Sequence, residues 1–123
     1  MSKPINKVIT VDIPIYKTSV TGYFMPIEAF ANHMFKKYEY TVSSEYLAGR
    51  CLYLENETNQ ANVVWVDSMP EVDICIISHE ALHAAVNILD RIGIALTPEN
   101  DEALAYLHEY ILKSFMKKLG IKH

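Results

Sequence analysis

Residues 68–92 impose the strongest constraint on this chain, because their apolar positions fall on one side only if the segment is an α-helix. At about 100° per residue with His79 at zero, Ile74, Ile77, Ala81, Leu82, Ala84, Ala85, Val86, Ile88 and Leu89 fill an arc of about 200°. Such a helix is mostly buried, and the rest of the fold must be built around it. The remaining sector holds His79, Glu80, His83, Asn87 and Asp90.

Within that polar sector, His79-Glu80-Ala81-Leu82-His83 sets two imidazoles four residues apart with a carboxylate after the first. Four residues advance a helix by slightly more than one turn, so both rings can reach one zinc ion while Glu80 is directed at a water on that metal. Five His and ten Glu in 123 residues would generate roughly 0.016 such matches in a shuffled chain. A solvated face accounts for each residue singly, but not for the spacing.

Length fits one domain, residues 1–123, with enough chain to bury a core. Half the residues are hydrophobic and 21% are charged, the profile of a soluble globular protein. The net charge of −4, with Lys36-Lys37 and Lys117-Lys118 as isolated pairs, argues against nucleic acid as a partner. No long apolar run follows the N-terminal lysines, so no signal peptide or membrane span is expected and a cytoplasmic location is the default. Cys51 and Cys75 are too few for a disulfide scaffold and read as reduced thiols, with Cys75 a minor candidate ligand.

Residues 8–13 and 15–20 are β-branched and partly alternating around Pro14, the pattern of an interrupted or edge strand. Pro26 suits the first turn of a helix to about Tyr38, with Ile27, Phe30, Ala31, Met34 and Phe35 facing the core. The apolar runs 51–54 and 63–66 predict a hairpin around the polar segment 55–62. Ser68-Met69-Pro70-Glu71 has capping-box spacing and predicts the start of the motif helix, with Gly93 closing it after Ile92. Thr97-Pro98-Glu99 predicts the start of a last helix ending near Leu119. The fold class is therefore α+β: a small mixed or antiparallel sheet against about three helices, with the motif helix central.

A catalytic zinc site takes three protein ligands and keeps a position open, so one ligand must come from beyond the motif. The acidic start of the last helix, Asn100 to Tyr106, is the best source. Asp101 and Glu102 both qualify there, since the wheel turns Asp101 nearer the core side and first-turn acids also complement the helix dipole.

With its H-E-x-x-H and the downstream Glu102-Ala103-Leu104-Ala105-Tyr106, the chain resembles the zincin metallopeptidases, in particular the gluzincins and the small single-domain zincins of bacteria and phages. The resemblance covers roughly residues 63 to 119. It implies zinc held by His79, His83 and Glu102, with Glu80 as the general base that activates a zinc-bound water to hydrolyse peptide bonds in a peptide or protein substrate. It also implies that residues 63–66 present a strand edge to an extended peptide. One departure stands out. Thermolysin-like gluzincins carry an aspartate where this chain has Tyr106, so support for a ligating histidine must come from Asp90, Asn87, Glu109 or a backbone carbonyl.

Tyr106 and Tyr110 share the Glu102 face and are candidate donors to a developing oxyanion, while His108 reads as a core or interface histidine. His33 and His123 have no companion pattern and read as non-catalytic. The alternative function is a catalytically silent zinc-binding interaction or accessory protein that keeps the zincin fold. A di-iron carboxylate site is disfavoured, because it needs a second E-x-x-H. Oligomeric state is left open by the sequence.

Overall fold

A computed structural model of the chain describes residues 6–42, 48–55, 60–68 and 71–121. Its elements are β1 (Lys7–Ile13), a 3-10 turn (Pro14–Tyr16), β2 (Thr18–Phe24), α1 (Ile27–Tyr38), β3 (Gly49–Glu55), β4 (Gln60–Val66), α2 (Ile74–Arg91) and α3 (Asp101–Leu119). The fold is α+β. The strands form one mixed sheet in the order β1-β2-β4-β3, with β2 and β4 parallel and both outer pairings antiparallel.

Side-chain alternation explains how the layers stack. Ile9, Val11 and Ile13 of β1 are buried while Val8, Thr10 and Asp12 face out, as a strand with one covered face requires. β4 is different: Asn62 to Val66 are all buried, because this strand is interior and covered on both faces. Val64 and Val66 pack with Ile77, Ala81, Ala84 and Ile88 of α2 and with Ile111 and Phe115 of α3. Val63 and Trp65 point the other way, into a cluster with Phe30 and Met34 of α1. There Phe30 stacks on Trp65 with ring centroids 5.6 Å apart, and the buried indole N–H donates to the Met25 carbonyl at 2.9 Å.

Several expectations need correction. Residues 63–66 are not a free edge, since β4 is paired on both sides and the edge at that end of the sheet is β3. α2 begins at Ile74, because Asp73 supplies the cap, its Oδ1 accepting from the Cys75 N–H at 2.8 Å. Ser68 is instead fully buried just beyond β4. Met69 and Pro70 of the expected capping box lie outside the described residues, as do residues 56–59 of the hairpin, the first five residues and His123. Phe35 is 60% exposed, because α1 buries only the narrow stripe of Phe30 and Met34.

Helix ends follow the glycines. Gly93 has φ +85°, and the Ile94 N–H closes α2 by donating to the Leu89 carbonyl at 2.9 Å. Gly120 ends α3 in the same left-handed conformation. Thr97 to Asn100 form a turn, with the Asn100 N–H donating to the Thr97 carbonyl, so α3 starts at Asp101. Among the described residues no helix is long and apolar enough to cross a membrane.

Candidate metal centre

α2 packs on the sheet through Ile77, Ala84 and Ile88, lies alongside β3, and meets α3 on its other flank. This placement sorts the polar sector of the helix. His79 and His83 are exposed, whereas Glu80, between them in sequence, retains only 6% exposure. The carboxylate lies against β3, where Gly49 has no side chain to meet it: a Cβ built there would stand 2.9 Å from Glu80 Oε2.

The two imidazoles converge. His79 Nε2 and His83 Nε2 are 3.2 Å apart, with the rings nearly edge to face at 73°. Two nitrogens each about 2.0–2.1 Å from a tetrahedral zinc stand about 3.3 Å from one another. The spacing therefore fits a shared ion, and equally an N–H···N contact in its absence. Ligand atoms of His79, Glu80 and His83 all lie within 4.8 Å of one another. Burial raises the Glu80 carboxyl above its ordinary range, and the nearby His79 and His83 oppose that shift.

Cys51, on β3, is the other titratable neighbour. Its thiol is pushed up to about 12, by burial first and then by the Glu80 charge, against weaker opposing pulls from the Asn87 hydrogen bond and Arg91. Asn87 donates to Cys51 Sγ at 3.7 Å, a long sulfur contact.

Glu102 and Asp101 are not brought to this group. Both are exposed in the first turn of α3, and neither belongs to the set of convergent ligand atoms. α3 docks on the opposite flank of α2, where His108 Nε2 lies 3.0 Å from the Ser78 carbonyl oxygen and 3.3 Å from Ser78 Oγ. Ser78 and Glu80 are about 160° apart around the helix, so the His108 contact and the carboxylate lie on opposite flanks of α2. His108 is thus a half-buried interface histidine, as its apolar surroundings in sequence indicate.

Tyr106 and Tyr110 are also elsewhere. They line an apolar cleft of about 540 Å³ with Ile13, Pro14, Ile15 and Leu107, and the Tyr110 hydroxyl donates to the Asp12 carbonyl at 2.8 Å. Of the expected supports for the histidines, Asn87 is turned to Cys51, Glu109 pairs with Lys113 at 2.6 Å, and Asp90 is exposed. Cys75 is exposed and outside the convergent group. His33 lies across the sheet, its ring against Tyr23 at 4.9 Å.

Compared with protein-family models, curated proteins and solved structures, the chain matches none. Geometry alone therefore carries the functional argument. The residue that sequence reasoning missed is Gly49. Gly49 lies two residues before the predicted run 51–54, and a glycine at the start of a strand marks a close approach of another group, which was its available signal.

Proposed function

We propose that this chain is a zinc-dependent peptidase in which His79 and His83 supply two of the metal's protein ligands and Glu80 is the general base. The observation that carries the reading is the 3.2 Å separation of the two Nε2 atoms with a buried carboxylate within 4.8 Å. When bound, zinc would supply a Lewis acid that polarises a peptide carbonyl and acidifies water. Glu80 takes a proton from the attacking water on its carboxylate oxygen and returns it to the leaving amine. The carboxyl's raised pKa suits both roles, since a base nearer neutrality is also a better acid for the second transfer.

β3 gives such a site a way to hold a peptide. It is an outer strand whose first residue, Gly49, touches Glu80, so a peptide added along its free edge passes beside the carboxylate. The two free cysteines accord with a reducing, cytoplasmic setting, which forms part of the proposal.

A second reading has its own support. Among the described residues the convergent group comprises His79, Glu80 and His83 alone, so Glu80 can itself serve as the third ligand. The protein would then bind zinc without hydrolysing anything and act as an accessory or interaction protein. A mixed peptide library incubated with zinc-loaded and chelator-treated protein tests the first reading: zinc-dependent cleavage supports it, while zinc bound at one per chain without cleavage supports the second.

A further inference from the structure

The geometry points to a second ligand site, unconnected with the histidines: a cleft between the β1–β2 turn and the end of α2 that binds a carboxylate through Arg91 and Lys17. The cleft measures about 640 Å³, within the range of small-molecule sites. Arg91 is twelve residues beyond His79, about 18 Å along α2, so the site stands or falls independently of the metal reading.

Arg91 is held in place from two directions. Its Nη1 donates to Asn62 Oδ1 at 2.8 Å, and its Cζ stands 3.2 Å from the centroid of the Tyr53 ring. Asn62 is only 6% exposed and is itself fixed, its Nδ2 donating to Thr18 Oγ1 at 3.2 Å and to the Ser19 carbonyl at 3.0 Å. An arginine that served only the negative end of the helix dipole would need neither a buried asparagine nor an aromatic platform. Fixing one nitrogen and one face leaves the other edge of the guanidinium as a pre-oriented fork, the geometry that matches a carboxylate with two parallel hydrogen bonds.

Lys17 supplies a second positive charge on the same cleft. It is one of two described non-glycine residues with positive φ, at +53°, a conformation that L side chains adopt reluctantly. Among the described residues neither Lys17 nor Arg91 has a carboxylate within ion-pair distance. Asp12 also lines the cleft, so the charged walls carry two cations and one anion. The excess of positive charge on the walls favours a small ligand that presents a carboxylate to Arg91 and Lys17.

Titration of isotope-labelled protein by NMR, following the Arg91 Nε–Hε and Asn62 side-chain signals, tests the site. The probes are succinate, trialanine, trialanine amide and inorganic phosphate. Saturable shifts with succinate or trialanine are expected, with affinity at least ~10-fold weaker in Arg91→Lys, because a lysine cannot form the fork. Lys17→Gln, at an exposed turn, is expected to weaken binding roughly threefold while melting unchanged. Binding by succinate alone assigns a free acid, and binding by trialanine but not its amide assigns a chain terminus. No saturable shift, equal binding of the amide, tighter binding of phosphate, or undiminished affinity in Arg91→Lys would each overturn the proposal.

Discussion

Gly49 on β3 leaves open the space that the Glu80 side chain occupies: an added Cβ would stand 2.9 Å from Glu80 Oε2 and 2.6 Å from Cγ2 of Ile76. Gly49→Ala must therefore push β3 from α2 or drive the carboxylate out of its place. The expected cost is about 1–3 kcal/mol, read from the urea midpoint. An unchanged midpoint would mean that β3 yields at this point and does not constrain Glu80.

The thiols should separate by reactivity. Cys75 is exposed, whereas burial and the Glu80 charge push Cys51 up to about 12 and leave almost no thiolate near neutral pH. Brief treatment of the folded protein with iodoacetamide at about pH 8 should add one group, at Cys75, and denaturation should expose the second. Rapid labelling of Cys51 in the native state would contradict the packing of β3 against α2.

Stability without metal should depend on the ionisation of Glu80. Burial raises its pKa in the fold above the unfolded value, so the folded state keeps this proton at a pH where the unfolded chain has released it. The contribution is fully present below the unfolded pKa and is lost as pH rises through the folded one. In metal-free protein, Glu80→Gln should match the wild type at acid pH and melt higher at neutral pH. A variant that melts lower at neutral pH would show that the charged carboxylate is stabilised where it lies.

Zinc should stabilise the fold through the histidines. At a free concentration about 100 times its Kd, one bound ion adds about 2.7 kcal/mol. Chelation should remove this increment from the wild type, while His79→Ala and His83→Ala should melt alike with and without zinc. A zinc response that survives both substitutions would place the metal elsewhere.

Much of this organisation is legible in the sequence, because it rests on periodicity and local backbone chemistry. The stripe around Ile77, Ala81 and Ile88 identifies the buried face of α2, and Gly93 and Gly120 mark helix ends through their positive φ. The run Val63 to Val66 reads as a strand, but not as an interior one. Whether β4 or β3 forms the edge depends on the long-range parallel pairing of Val20 to Phe24 with Asn62 to Val66.

The site divides along the same line. His79, Glu80 and His83 converge because one helix carries them, and spacing alone predicts it. Glu102 does not converge, because the docking of α3 is decided by contacts such as His108 with Ser78, which sequence spacing does not encode. Nor does the wheel reveal that Glu80 is buried beside β3, or that Asn62 and Tyr53 orient Arg91. These are tertiary juxtapositions between residues 29 to 38 positions apart.

The most direct test of the central claim is a paired measurement on Glu80→Gln: zinc content per chain and the rate of peptide cleavage at equal protein concentration. About one zinc per chain is expected in both proteins, with cleavage falling by at least ~100-fold in the variant, the scale of a lost general base. Retained cleavage would contradict the assignment of Glu80 as the base, and loss of zinc together with cleavage would make Glu80 a ligand instead.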